Sequence, residues 1–326
     1  MRTKAIIPVA GVGTRLRPHT HTVPKALMIV AGKPILAHIL DQLPELGIRE
    51  VVMVVGYMGD RIREYVKKNY KLSVTYVEQH ERKGLGHAVY LTEAHVKNAP
   101  VLIVLGDTIF KADFSKVVSG ERNYIGVKQV SDPSNFGVVQ VTNGLVKKLV
   151  EKPEVPPSNL AIVGVYYIAD TGMMFESIGQ IMHRKIKTKG EYQLTDALQL
   201  MLNRGVELRT LPVHGWYDCG KTETLLGANK DLLELVKRQP KIPGCVVVPP
   251  VAVDRTARIQ NCIVGPHVSV APGAVVRDSI VRNCIINANA YVEDILLDGS
   301  VVGENATVRG AFKMVNVGDS SEVQLT

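Results

Sequence analysis

The sequence predicts an α/β chain: a mostly parallel sheet layered with helices, followed by a short repetitive β-domain. Three patterns carry this. Between Lys4 and Leu105, short apolar runs rich in β-branched residues alternate with stretches of helical spacing. Between Tyr124 and Ala169, strand-like runs follow one another through turn residues such as Asn143-Gly144, with no helix between them. From Val253 onward, aliphatic residues recur every five or six positions with glycine, proline and small residues between.

The first strand, Lys4-Ala5-Ile6-Ile7-Pro8-Val9-Ala10, runs into Gly11-Val12-Gly13-Thr14-Arg15-Leu16-Arg17-Pro18 and, after a His/Thr spacer, reaches Pro24-Lys25. Glycines there allow close backbone approach to a ligand, and Arg15, Arg17 and Lys25 add three cations. Exposed amides beside clustered cations suit a polyphosphate. The run is neither a Walker loop, lacking Gly-Lys-Ser/Thr, nor a dinucleotide fingerprint, whose third glycine is here Leu16. A tight turn with solvated arginines is the alternative, but such a turn does not call for Lys25 as well.

Helices are expected over 34–46, 60–69 and 85–97, and strands over 50–55, 73–77 and 101–105. In a parallel sheet, ligands sit beyond the carboxyl ends of the strands, where Gly11, Gln79 and Asp107 fall. Gln79 carries a donor and an acceptor and so matches a pyrimidine edge. Asp107, following Gly106, would be repelled by phosphates unless a cation lay between, and magnesium accepts a few carboxylates together with phosphate oxygens. Strands 124–130, 137–141, 146–151 and 162–169 form an antiparallel insertion expected to cover the sheet edge. Thr195-Asp196 looks like a helix cap, 222–238 like an exit helix and 239–244 like a linker. Two domains are expected, 1–238 and 245–326.

Composition narrows the function classes. The 326 residues carry a net charge of +8 and a pI near 9.2, with 5% aromatics and one tryptophan. There is no long basic run and no nucleic-acid motif, so anionic small substrates are favoured over nucleic acid. Cys219, Cys245, Cys262 and Cys284 are far apart, without a C-x-x-C pair, and fit reduced thiols of a cytoplasmic protein. No apolar run is long enough for a membrane span.

Gly-x-Gly-Thr-Arg-Leu-x-Pro followed by Pro-Lys, then Gly106-Asp107, Glu151-Lys152-Pro153 and Trp216-Tyr217-Asp218-Cys219-Gly220 in that order, resembles the sugar-1-phosphate nucleotidyltransferases over about residues 3 to 236. The likeness is greatest to glucose-1-phosphate thymidylyltransferases of the long form, with uridylyltransferases next. It implies a Rossmann-like, mostly parallel sheet with an antiparallel sugar-binding insertion, and it assigns roles residue by residue. Gly11, Val12, Gly13, Thr14, Arg15, Gln79, Gly84 and Asp107 would bind the nucleotide, and Gly137, Glu151, Lys152, Val163 and Asp218 the sugar phosphate. Arg15, Lys25, Asp107 and Lys152 would carry catalysis, and Asp107 and Asp218 would hold Mg²⁺. The family's thymidylyltransferases often have Thr where this chain has Cys219. The aliphatic spacing after Val253 resembles the hexapeptide repeat of left-handed parallel β-helices, here about three and a half turns. Such a domain implies a homo-oligomer, with His267 as a turn residue rather than an acetyl-transfer catalyst. The implied substrates are a nucleoside triphosphate, dTTP before UTP, and a sugar 1-phosphate, with no nucleic acid or membrane partner.

Overall fold

The computed structural model describes residues 2–115, 117, 118 and 120–310, so the last sixteen residues of the expected β-domain lie outside it. The chain divides into two compact units, Met1–Met28 with Lys33–Leu225, and Ile29–Gly32 with Leu226–Thr326. The division falls within an exit helix rather than at the expected linker 239–244.

The first unit is built on β1 (Lys4–Pro8), β2 (Glu50–Val55), β3 (Ser73–Glu78), β4 (Val101–Val104), β5 (Thr108–Lys111), β6 (Asn123–Gln129), β7 (Gly137–Thr142), β8 (Leu145–Glu151), β9 (Leu160–Ile168), β10 (Leu208–Pro212) and β11 (Gly215–Asp218). A nine-stranded sheet runs β3-β2-β1-β4-β9-β6-β10-β8-β7. Strands β3, β2, β1 and β4 pair in parallel; β9 enters antiparallel against β4. Alternating residues of β1 explain its central place. Ala5 and Ile7 enter one core and Ile6 the other, all fully buried, as Leu102 and Val104 are divided from Val101 and Ile103 in β4. The strands expected as an insertion over the sheet edge instead continue the sheet, because β9 lies between β4 and β6.

The helices are α1 (Ile35–Leu40), α2 (Gly59–Asn69), α3 (Leu85–Tyr90), α4 (Glu93–Val96), α5 (Thr171–His183), α6 (Leu194–Asn203) and α7 (Thr222–Leu233). Three are shorter than the spacing predicts, the exit helix expected over 222–238 ending at Leu233. The helix expected to reach residue 46 ends at Leu40, since Pro44 has no N–H to give the Leu40 carbonyl. The one expected over 85–97 breaks at Leu91-Thr92, where the Thr92 hydroxyl donates to the Val89 carbonyl at 2.7 Å. Helix α5 is not among the expected elements, although Asp170 caps it by accepting from the Met173 amide at 3.0 Å.

Among its described residues, the second unit holds three stacked parallel sheets of four strands each, consistent with the left-handed β-helix. One sheet joins Val246–Val247, Ile263–Val264, Ile280–Arg282 and Leu296–Asp298; the others begin at Val251–Val253 and Arg258–Gln260. The register Val246↔Ile263↔Ile280↔Leu296 steps by 17, 17 and 16 residues, so three strands make one coil. The described coils number four rather than three and a half, because the repeat begins at Val246, ahead of the pattern at Val253. Val264, Val281, Val276 and Val292 fill the interior at 0% exposure. His267 has a left-handed backbone (φ 61°), with Nε2 2.7 Å from Glu234 and Nδ1 3.3 Å from Asn283. Both ring nitrogens are therefore engaged within the unit. Asn229, itself buried, gives its Nδ2 hydrogen to the His267 carbonyl and accepts from Ser269 Oγ and the Ala31 amide.

Candidate active site

The loop after β1 turns through a short 3₁₀ segment, Thr14–Leu16, entered at Gly13 in left-handed conformation (φ 67°). A Cβ on Gly13 would lie 3.0 Å from Lys25 Cβ, so this glycine serves both the turn and the close approach of Lys25. The Thr20 hydroxyl donates to the Gly13 carbonyl at 2.8 Å and ties the spacer down. Gly11 differs: its missing Cβ faces open space, and it lines a cavity of about 510 Å³ with Val12, Gly13, Thr14, Lys25, Gln79, Gly84 and Asp107. That volume is in the range of small-ligand sites.

A second cavity of about 410 Å³ is lined by Arg15, Asp107, Gly137, Glu151, Lys152, Val163, Trp216 and Asp218. Glu151 stands opposite Gly137 in the β8–β7 register, where a side chain at 137 would lie 3.0 Å from the Glu151 carboxylate. Lys152 follows with a left-handed backbone (φ 42°), and its Nζ lies 3.8 Å from Glu151 Oε1. Phe136 and Trp216 form an edge-to-face wall, ring centroids 4.8 Å apart. Of the residues nominated from the sequence, all but Arg17 line one of the two cavities, and Asp107 lines both; Arg17, one of the three expected loop cations, is exposed and lines neither.

Asp107 and Asp218 are brought together by a pair of strands that the sequence reading missed. Antiparallel β5 and β11 set Asp218 opposite Thr108, and the Cys219 amide donates to the Asp107 carbonyl at 3.2 Å. Lys25, nine-tenths buried, reaches Asp107 Oδ2 at 2.7 Å. The two carboxyls respond in opposite directions. Burial pushes Asp107 up, but the Lys25 charge and hydrogen bond outweigh it, with help from Arg15, and hold its pKa below the usual value. Burial raises Asp218, and the Asp107 charge adds to that against the opposition of Lys25 and Arg15. Two oxygen-donor side chains whose charges oppose one another at the lining of the second cavity fit a hard divalent cation.

Residues 4–234 match the family model described as nucleotidyl transferase. The chain belongs to that family. This nucleotidyltransferase is 31% identical to glucose-1-phosphate thymidylyltransferase of Streptomyces antibioticus over 99% of both chains. It is 36% identical to the UTP–glucose-1-phosphate uridylyltransferase AglF of Haloferax volcanii over 71% of this chain and 97% of that one. A UDP-glucose pyrophosphorylase solved with UDP-glucose superposes with a TM-score of 0.62 at 27% identity, covering 72% of this chain and 100% of its own. The nucleotidyltransferase is an enzyme of the sugar-1-phosphate class.

Thr195 is a residue of the nucleotidyltransferase site whose place the sequence did not reveal. The expected cap at Thr195-Asp196 is absent: α6 starts one residue earlier, its N-cap is Gln193, and no side chain caps it. The Thr195 hydroxyl instead donates to Glu151 Oε2 at 2.7 Å and holds that carboxylate in the second cavity. A Thr-Asp at a helix start carries no sign of a partner 44 positions upstream. Cys219 is fully buried, and burial pushes its thiol far up. Among the described residues, no helix is long and apolar enough to cross a membrane, and the four cysteines are unbridged.

Proposed function

We propose that the enzyme transfers a thymidylyl group from dTTP to glucose 1-phosphate, releasing pyrophosphate and leaving dTDP-glucose. Asp107 carries this reading, because it borders both cavities and is held by the most buried cation of the site, Lys25. The first cavity takes the triphosphate: the backbone of Gly11 to Thr14 faces the phosphates, Lys25 offsets their charge together with Arg15 from the second cavity, and Gln79 and Gly84 meet the base. The second takes the sugar phosphate, with Glu151 and the backbone of Gly137 and Val163 at the sugar hydroxyls and Lys152 at the phosphate.

A sugar phosphate oxygen attacks the α-phosphorus, and the bond from that phosphorus to the bridging oxygen of the β-phosphate breaks. The pair of electrons leaves with pyrophosphate. A phosphate monoester with a second pKa near about 6 is mostly dianionic at neutral pH, so no general base is required. Positioning and charge neutralisation are what the protein contributes. Magnesium held by Asp107 and Asp218 would supply charge stabilisation at the reacting phosphates.

UTP is the second reading of the triphosphate, favoured by the uridylyltransferase AglF and the UDP-glucose pyrophosphorylase among the similar chains. The four-coil domain is read as an assembly or regulatory element, since both His267 nitrogens are engaged. Unbridged cysteines support a reducing, cytoplasmic setting. Pyrophosphate release over a grid of dTTP, UTP, CTP, ATP and GTP against several sugar 1-phosphates, with and without Mg²⁺, tests the assignment. Release confined to a pair other than dTTP with glucose 1-phosphate would replace it.

A further inference from the structure

Gln79 leaves the end of β3 with its backbone amide on the Val55 carbonyl at 2.8 Å and its side chain nine-tenths buried at the first cavity. The side-chain nitrogen lies 3.1 Å from the Gly84 carbonyl oxygen and 3.1 Å from His87 Nδ1. A carbonyl oxygen only accepts, so the first contact fixes which end of the amide faces the protein. An amide nitrogen has two hydrogens and no acceptor capacity, so the second contact requires His87 Nδ1 to be bare, with the ring proton on Nε2. Both donors of Gln79 are then consumed inside the protein. Its remaining group is Oε1, an acceptor.

We propose that His87 is a positioning residue that locks the Gln79 amide with its oxygen toward the nucleobase, so that the site accepts bases presenting an N–H there. The inference rests on assigning the first cavity to the nucleotide. Uracil and thymine present the imide N3–H to such an oxygen. Cytosine presents a bare N3 and adenine a bare N1, setting lone pair against lone pair. The surroundings of His87 support a fixed lock. It sits nine-tenths buried on α3, whose entry at Gly84 (φ 105°) admits no other residue, since a Cβ there would lie 2.6 Å from the Tyr192 carbonyl. The Gly86 amide donates to that same carbonyl at 2.8 Å, and the Tyr192 amide donates to the Lys83 carbonyl at 2.8 Å. The helix corner carrying His87 is thereby pinned to the segment before α6. Burial, and secondarily the Lys83 ammonium, lower the His87 pKa against the opposing charge of Glu81. The ring is therefore kept in the neutral form that can accept from Gln79.

The test compares kcat/KM for dTTP, UTP and CTP at saturating glucose 1-phosphate in the full-length enzyme and in His87→Leu and His87→Asn. The enzyme should favour dTTP and UTP over CTP by at least about a hundredfold. His87→Leu removes one of the two acceptors and leaves the Gly84 carbonyl as the amide's remaining hold, so the amide turns more readily. Its KM for dTTP and UTP should rise about tenfold, with a smaller change in kcat, and its preference over CTP should shrink about tenfold. His87→Asn places an amide oxygen near the position of Nδ1 and should recover most of both. An unchanged preference in His87→Leu, no recovery in His87→Asn, or a parent enzyme that uses CTP as readily as dTTP would each overturn the lock while leaving nucleotidyl transfer intact. A grid with no pyrophosphate release from any pair would defeat the functional reading, and the lock with it. A general loss of fold would also raise the KM for glucose 1-phosphate, which the lock leaves within about twofold.

Discussion

Asp107 and Asp218 are brought to one corner of the second cavity by backbone pairing. The Cys219 amide donates to the Asp107 carbonyl at 3.2 Å, and Asp218 stands opposite Thr108. Their separation is thus set by an antiparallel ladder, which resists change more than a loop does. Asp107→Asn and Asp218→Asn keep the shape of this corner and remove a charge. Each should lower kcat by about two to four powers of ten, the scale of losing one electrostatic element. If both act through one cation, the double variant should be far less than multiplicatively worse. Steady-state kinetics at saturating Mg²⁺ would show this, and fully additive losses would refute the shared role.

The same substitutions should move stability in opposite directions. Asp107 has its pKa held below the usual carboxylate value, so its ionised form contributes stability at neutral pH that is lost as pH falls through the lowered value. Asp107→Asn also strips the buried Lys25 of its charged partner, and should cost about 1 kcal/mol at pH 7, the aspartate being partly exposed. Asp218 has its pKa raised above 3.8, so its ionised form opposes folding. Asp218→Asn should stabilise the metal-free protein by about 0.5–1 kcal/mol at pH 7. That gain should vanish as pH falls below 3.8, where the parent is protonated folded or unfolded. Thermal unfolding in EDTA at neutral and acid pH would measure both. Equal signs for the two variants would contradict the opposed shifts.

How much of this was legible depends on which forces leave a mark in the sequence. The parallel core strands are plain because residues such as Ala5, Ile6 and Ile7 bury both faces and must all be apolar. The glycine and lysine of the first loop are plain because a left-handed turn and a buried cation each demand one residue type. The pairing of β5 with β11 is not, since a two-stranded ladder needs only a few apolar residues and its partners lie far apart in the chain. His87 and Thr195 are hidden for a related reason. Each acts on a neighbour, Gln79 or Glu151, that only the folded chain supplies.

Thr195→Val keeps the shape of α6 and removes the donor to Glu151. The carboxylate then loses one hydrogen bond of about 1 kcal/mol, more because the acceptor is charged. The KM for glucose 1-phosphate should rise about fivefold to tenfold while the KM for the triphosphate changes little, whereas Thr195→Ser should behave like the parent. A variant affecting only the triphosphate would place Glu151 outside the sugar site.

Transfer should proceed directly through a ternary complex with inversion at the α-phosphorus. The one thiol beside the carboxylate pair, Cys219, is fully buried, and burial drives its pKa far above the range in which a thiolate forms. Incubation with α-³²P-labelled dTTP without sugar phosphate should leave no label on denatured protein. Cys219→Thr should retain at least about half the parental kcat. Stoichiometric labelling that disappears in Cys219→Thr would establish a double displacement instead.

The four described coils of the second unit imply a particular way of coming apart. Strands such as Ile263–Val264 pair only with those one coil before and after, here Val246–Val247 and Ile280–Arg282. A stack of that kind behaves as a one-dimensional array whose stability is a sum of coil and neighbour contributions. Its inner coils, around Val264 and Val281, then exchange their amide hydrogens only through larger openings, while the outer coils fray. Protection from hydrogen exchange would therefore fall from the middle of the described stack toward its last described strand, Thr307–Arg309, a gradient along the coil axis that a conventionally cooperative globular core would not show.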